Sequence, residues 1–341
     1  ESILLSKGNP ALPRICRSII IPDNAKMEIN VLSSEYKDFA DTPVIPSKGN
    51  LYRDVNPEDI PYEFGDIYTR NQWYQDEIAS IREPFIMRDL RGTVIELNAF
   101  RYNPALQTLR VYTSVTVEIV NTGPGQVNIL HRDEPFTSVV SEFNWIYERR
   151  FINYNQAMTL YNPVEETGDM LVITYDNYFD EMVPFVDWKN QKGIPTTMVN
   201  VSSIGNNSTS MKNYIQNLYN TTDLAFVLLV GDAQHVATPQ AYYGAADPTY
   251  GKLEGGDDYP DAFIGRFSAE TDAQVTTQVQ RTIDYEANPS GSSWFQRGTG
   301  VASDEGPGHY GEYDFEHMDL IRTDLLGYNY TLVDQIYDPG A

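Results

Sequence analysis

The stretch from Ala225 to Phe267 constrains the fold more than any other part of the chain. It opens on AFVLLVGD, an apolar run closed by Gly231 and Asp232, and ends on GDDYPDAFIGRF, where carboxylates crowd a turn before a second apolar strand. An apolar run without alternation reads as a strand buried on both faces, which is the pattern of a parallel sheet covered by helices. Such sheets bind ligands at the carboxyl ends of their strands, and Asp232 falls there.

The segments around this run alternate strand and helix. MLVIT, TTMVNV and AFVLLVGD read as strands, and DEMVPFVDWKNQKG and MKNYIQNLYN as the helices between them, a βαβαβ unit. Gly193 and Pro195 stop the first helix. In DAQVTTQVQRTIDYEANP, Val275, Val279 and Ile283 stack at four-residue spacing and Pro289 ends the helix. GTGVASDE is a further strand, DFEHMDLIRTDLLG a helix with Met318, Ile321 and Leu325 inward, and NYTLVDQIY a last strand before the turn at Asp338-Pro339-Gly340. Residues 169–341 are therefore expected to form a mostly parallel α/β sheet, and another helix and strand would be needed to cover it.

Residues 1–155 have a different texture. In LRVYTSVTVEIV, Val111, Thr113, Val115, Val117 and Ile119 share one face, the alternation of a half-buried strand. The preceding TVIEL, with Val94, Ile95 and Leu97, is expected to pair with it across a turn at Asn103-Pro104. CRSIIIP and MEINVLS add strands, and 42–83 reads as a long loop draped over the sheet. The first domain is expected to be all-β, of sandwich or jelly-roll type, followed by a linker at 156–168.

With 48 acidic against 24 basic residues the formal charge is −24. That disfavours nucleic acid and anionic membranes and favours cationic substrates or divalent cations. No apolar run approaches the length of a membrane span, and the first residues, ESILLSKGNP, lack the regions of a signal peptide. The single cysteine, Cys16, has no internal partner and no zinc-site neighbours. The sequons at Asn207 and Asn220 lie in Asn/Ser/Thr-rich loops and carry no weight.

Three motifs bear on chemistry. GPGHYG, from Gly306 to Gly311, satisfies the dinucleotide pattern G-x-G-x-x-G, but Asp304, Glu305, Glu312 and Asp314 beside it would repel a pyrophosphate. Asp257, Asp258 and Asp261 suit a hard cation, next to Asp232, and equally suit a solvated acidic turn in an acidic protein. Asp314 reads either as the N-cap of its helix, with His317 in the first turn, or as a carboxylate at a site edge that could receive a cationic side chain. No nucleophile and base assemble: the serines lack a GxSxG elbow, and His131, His235, His309 and His317 have no evident partner.

The order of long motifs resembles the gingipains, caspase-like cysteine peptidases made as zymogens. RSIIIPDNAKMEINVLSSEYKDF, IPSKGNLYRDV, REPFIMRDLRG and FRYNPALQTLRVYTSVTVEI resemble the gingipain-type prodomain, and YNPVEE the start of the mature enzyme. FVDWKNQKGIPT, VLLVGD, FIGRFSAE and YDPG resemble the first half of the catalytic domain. The resemblance implies that calcium is held by Asp232, the carbonyls of Glu254 and Tyr259, Asp257, and Asp261 in the place of a glutamate. It implies a second group with Glu312 and His317, the latter through its backbone oxygen. Asp314 falls on the aspartate that receives the substrate arginine. The family's catalytic histidine, in a TGHG motif, and its catalytic cysteine fall beyond Ala341, so the expected partner is a remaining half carrying that dyad.

The same resemblance implies a secreted or cell-surface enzyme acting on proteins or peptides, inert in this chain alone, with a maturation region at 156–168. A prodomain arginine beside an acidic pocket can act as a pseudo-substrate, and Arg132, beside His131 on a Gly/Pro-rich excursion, is the candidate. One departure concerns processing: Leu160 precedes Tyr161 where self-cleavage after arginine would want a basic residue, and Arg149 and Arg150 lie upstream. The alternative from another class is a calcium-stabilised binding or inhibitory module without peptidase activity. The mass of the native assembly separates the two.

Overall fold

The computed structural model describes residues 2–52, 55–132, 136–242, 244–288, 293–308 and 311–338. Its first strands are β1 (Ser2–Ile3), β2 (Pro13–Ile20), β3 (Ala25–Phe39), β4 (Ala79–Ile81), β5 (Phe85–Met87), β6 (Leu90–Leu97), β7 (Phe100–Asn103) and β8 (Thr108–Pro124). β1, β2, β6 and β4 lie side by side with β5 also on β6, and β3, β8 and β7 form a second antiparallel sheet. The two meet where Ile19, Ile21 and Ile95 pack against Met27, Ile29 and Ile119.

The partner expected for LRVYTSVTVEIV was the wrong strand. β8 pairs with β3 along its length and with β7 through the turn after Asn103, whereas β6 pairs with β2, β4 and β5. Leu90 to Ile95 are buried without alternation, so β6 belongs inside a sheet covered on both faces, not against a half-exposed ribbon. The face assignment of β8 holds at Val115, Val117 and Ile119 and inverts at Tyr112, which is buried while Thr113 is exposed. Register shifts in β3 at Val31/Ser33 and Glu35/Tyr36 rotate the ribbon between these points.

The first part of the chain is not all-β. After β9 (Ser138–Val140), the segment SEFNWIYERR forms α1 (Ser141–Arg150) and YNQAMTLY forms α2 (Tyr154–Tyr161). Phe143, Tyr147, Phe151 and Tyr154 recur every three or four residues and are all buried, a helical stripe that aromatic content alone does not reveal. The stretch read as a linker holds the end of α2 and β10 (Val164–Glu166), which pairs in parallel with β9.

From Asp169 the expected order of elements is observed. β11 (Asp169–Thr174), α3 (Phe179–Gln191), β12 (Thr196–Asn200), the short α4 (Val201–Ile204), α5 (Ser208–Thr221) and β13 (Leu224–Val230) make the βαβαβ unit. A small hairpin of β14 (Gln240–Ala241) and β15 (Gly244–Ala245) precedes β16 (Phe263–Phe267) and α6 (Asp272–Ala287). Strand order is β12-β11-β13-β16, all parallel. Leu171, Ile173, Val227 and Leu229 face α5, with Met211 and Ile215, on one side. Val172, Leu228 and Val230 face α3 and α6, with Met182, Phe185, Val275 and Val279, on the other. Pro289, expected to end α6, lies outside the described residues, as do His309 and the Pro339-Gly340 turn.

β17 (Arg297–Ala302), α7 (Asp314–Gly327) and β18 (Leu332–Tyr337) follow. β17 and β18 pair with each other in parallel and, among the described residues, do not join the four-stranded sheet. α7 sits over Gly300, where a Cβ would meet Met318 at 2.7 Å. The helix buries no residue fully, and Ile321, expected inward, is exposed.

Candidate functional site

The carboxyl edge of the four-stranded sheet is built at Gly231, whose φ of +124° is one that a side chain would strain. It turns the chain out of β13, so that Asp232 Oδ1 accepts the amides of Gln234 and His235, each at 3.0 Å. Burial opposes ionisation of Asp232, but those two amides together with the His235 ring beside it hold the carboxyl below its ordinary value. His235 Nδ1 lies 2.7 Å from the same oxygen, a close approach that falls outside good hydrogen-bond geometry. The imidazole packs against Tyr175 and Tyr178, with ring centroids 4.6 and 5.7 Å away. This pairing of His235 with Asp232 escaped the sequence reading, although a histidine three residues after a strand-end aspartate was there to be seen. Among the described residues no serine, threonine or cysteine side chain bonds to His235.

Arg266 of β16 braces this edge from behind. It grips Asp247 with two parallel bonds of 2.7 and 2.8 Å and donates through Nη1 to the carbonyls of Gly231, Asp232 and Val236.

The acidic turn lies elsewhere. Asp257 and Asp261 precede β16, so in a parallel sheet they stand at the amino edge, opposite Asp232. Arg88 marks the place: its Nη1 donates both to the carbonyl of Leu224, the first residue of β13, and to that of Asp261. Seven residues of β13 separate this edge from the other, about 20 Å at the usual strand rise. Asp232, Asp257 and Asp261 therefore do not converge, and the single calcium set expected from them does not fit one ion, whose ligands lie within about 2.6 Å of it. Among the described residues no group of three His, Cys, Asp or Glu side chains is placed to hold a metal.

What surrounds the acidic turn is the first part of the chain. Asp261, fully buried, accepts the amides of Leu253 and Glu254 on Oδ2 and of Arg88 on Oδ1, all at 2.7 Å. Burial pushes its carboxyl up to about 6 against the pull of these amides. Asp257 accepts from the amides of Ile86 and Tyr259. Asn128 accepts the amide of Gly256, and the Tyr259 ring stacks on Phe85 at 4.1 Å. Burial raises the Glu254 carboxyl, eased by His131 and Arg132 nearby. Asp258 pairs with Lys252. Each of Asp257 and Asp261 keeps oxygen lone pairs beyond these amides, so the turn alone retains donors that suit calcium.

Among the described residues, Arg132 forms no hydrogen bond to either acidic edge. Its Nε donates to Asp23 at 2.6 Å and its Nη2 to the carbonyl of Asp89, while its guanidinium lies over Phe136. Asp314 stands at the carboxyl end of β17, where its Oδ2 accepts from the Ser303 hydroxyl at 2.7 Å. It is the first residue of α7 and not its N-cap. That place is taken by Tyr313, whose amide donates to Glu316 at 2.8 Å. Glu312 and His317 come together, Oε1 to Nδ1 at 3.0 Å, at the same helix end. This second edge therefore gathers Asp314, Glu312 and Glu316 around a helix N-terminus, an anionic site able to receive a cationic side chain.

The sequence model of the Peptidase family C25 propeptide matches residues 2–166, and that of Peptidase family C25 matches residues 164–339. The chain belongs to peptidase family C25, the gingipain family, and carries that family's propeptide ahead of its peptidase part. Gingipain R1 of Porphyromonas gingivalis is 36% identical over 351 residues, covering 100% of this chain, which spans about a third (35%) of that relative's length. Gingipain R2 of the same organism is also 36% identical, over 98% of this chain and 46% of its own length. The solved complex of Porphyromonas gingivalis RgpB pro- and mature domains is 36% identical and covers 44% of this chain and 76% of its own, with a TM-score of 0.40. Among the described residues no helix is long and apolar enough to cross a membrane.

Proposed function

We propose that this chain is the propeptide and the first part of the catalytic domain of a cysteine endopeptidase that cleaves proteins or peptides after arginine. On this reading the first sheets form a sandwich-type prodomain (1–155), 156–168 holds the maturation region, and 169–341 begins a caspase-like domain. The nucleophilic cysteine and its histidine come from polypeptide outside this chain, and the protein works outside the cell or at its surface. Calcium belongs to the reading at the turn from Glu254 to Asp261, with Tyr259 between them, and Asp232 forms no part of that cluster.

The observation that carries the proposal is Asp314, an acceptor at a strand end beside Glu312 and Glu316. A guanidinium can bind a carboxylate with two parallel hydrogen bonds, which a lysine ammonium cannot reproduce. In the full-length enzyme Asp314→Asn should lower kcat/KM for arginyl peptides roughly a hundredfold, with a smaller effect on lysyl ones. Asparagine keeps an acceptor for Ser303, and Glu316 still caps Tyr313, so the helix should stand. Arginine preference retained in Asp314→Asn would remove Asp314 from the specificity pocket. Arg132 is the propeptide's candidate pseudo-substrate, and to reach Asp314 it must first leave Asp23. Arg132→Ala should then raise the basal activity of the uncleaved full-length protein, and unchanged latency would assign inhibition to another residue.

A further inference from the structure

The propeptide match ends at 166 and the peptidase match begins at 164, so a cut that parts them must fall close to this junction. Lys and Arg are absent from Phe151 through Trp188. The nearest basic residues upstream, Arg149 and Arg150, form the last turn of α1. Arg149 donates to the carbonyl of Trp145 and stacks on its ring at 3.8 Å. The residue after Arg150 is Phe151, 2% exposed, and the Ile152 amide beyond it bonds to Ser18 in β2. A peptidase binds its substrate extended, so a cut after Arg150 requires unwinding α1 and pulling Phe151 out of the core.

The end of α2 is different. Leu160 is 82% exposed, Asn162 leaves the helix at a φ of +49°, and Val164 to Thr167 are exposed. Tyr161 packs its ring on Phe136 at 5.6 Å, so it is held while Leu160 is free to enter a pocket. Unwinding this turn disturbs the partly buried Met158 and Tyr161 and the small buried Ala157, but no large buried side chain.

We propose that the propeptide is severed in trans, at the Leu160–Tyr161 bond, by a peptidase that takes a large apolar residue, and that this protein does not mature itself there. Water adds across the amide: hydroxyl joins the Leu160 carbonyl carbon, the C–N bond breaks, and the nitrogen takes a proton to become the α-amine of Tyr161. The in-trans assignment rests on the arginine specificity proposed above; the accessibility of the bond does not.

The test is limited proteolysis of the native chain by trypsin and by chymotrypsin, with cut sites read from intact mass and N-terminal sequencing. Chymotrypsin should give a new N-terminus at Tyr161. Trypsin should leave the bonds after Arg149 and Arg150 intact in the native chain and cut them after heat denaturation. Leu160→Arg should make the native chain a trypsin substrate at position 160, at least about tenfold faster than at Arg150 in the wild type. Native cleavage after Arg149 or Arg150, or an intact Leu160–Tyr161 bond while neighbouring bonds are cut, would overturn the site. A full-length enzyme that cleaves leucyl peptides would overturn the in-trans step and the arginine reading, while leaving the accessible bond in place.

Discussion

Arg266 shows how much of the carboxyl edge hangs on one side chain. Its guanidinium is largely buried, and it satisfies three backbone carbonyls of the turn out of β13 as well as both oxygens of Asp247. Lysine can supply the charge but not the planar fork, so Arg266→Lys should cost about 2–4 kcal/mol in urea unfolding. A loss below about 0.5 kcal/mol would show that water replaces the fork. The Asp247 partner sets a pH dependence. Burial pushes its carboxyl up, the Arg266 hydrogen bonds pull it down further, and the net position is below the ordinary 3.8. A depressed folded value means that the stabilisation is complete above the unfolded value and is lost as pH falls through the folded one. Acid unfolding below the ordinary carboxylate range should therefore be steeper in the wild type than in Asp247→Asn, and parallel acid limbs would refute the pair's contribution.

At the scale of elements, the two-residue turn between β5 and β6 does what no local pattern announces. Arg88 adopts a φ of +48°, rare for a side chain of its size, and lies buried between Phe143 of α1 and Tyr219 of α5, 5.1 and 5.3 Å from their rings. Its partners are 136 and 173 residues away, so nothing within REPFIMRDLRG marks it as a plug between propeptide and peptidase part. Arg88→Ala should cost about 3–5 kcal/mol, because two carbonyls lose a buried donor and a cavity opens between the rings; a change within about 0.5 kcal/mol would show the plug to be dispensable. The elements that were legible share a trait. β11, β12, β13, β16, β17 and β18, with α3, α5, α6 and α7, announce themselves by apolar period and by punctuation such as Gly193 and Pro195, all local to each segment, whereas α4 and the β14–β15 hairpin do not. Strand partners are not local: β8 alternates in the same way whether β3 or β6 lies beside it. The helical stripe of Phe143, Tyr147, Phe151 and Tyr154 was visible but masked by the polar residues between them. The misplaced calcium set could have been avoided from order alone, since a turn that precedes a parallel strand and one that follows its neighbour stand at opposite edges. Asp314 was placed by resemblance, and its contact with Ser303 needed the fold.

Over the whole molecule, the propeptide and the peptidase part share a core. One cluster runs from Phe85, Leu90 and Val94 through Phe143 and Tyr147 to Ala225, with Phe226, Tyr259 and Phe263 of the peptidase part packed against it. Opening either part exposes the other, so thermal unfolding should be a single transition by both near-UV and far-UV signals and not two. The charge of −24 works against that common core, since carboxylates repel throughout the acidic surface and cations are few. A divalent ion at the turn from Glu254 to Asp261 would relieve part of this repulsion where the two parts meet, next to the amides of Ile86 and Arg88. Bound to the native state alone, at a hundredfold excess over its dissociation constant, calcium should add about 2.7 kcal/mol. Because the core is shared, that gain should move the whole transition and not a peptidase-part step alone. Scans in calcium and in chelator decide both points: an unchanged midpoint removes the ion from the turn, and two separable transitions, only one of them shifted by calcium, would show that the cluster around Phe143 does not bind the parts into one cooperative unit.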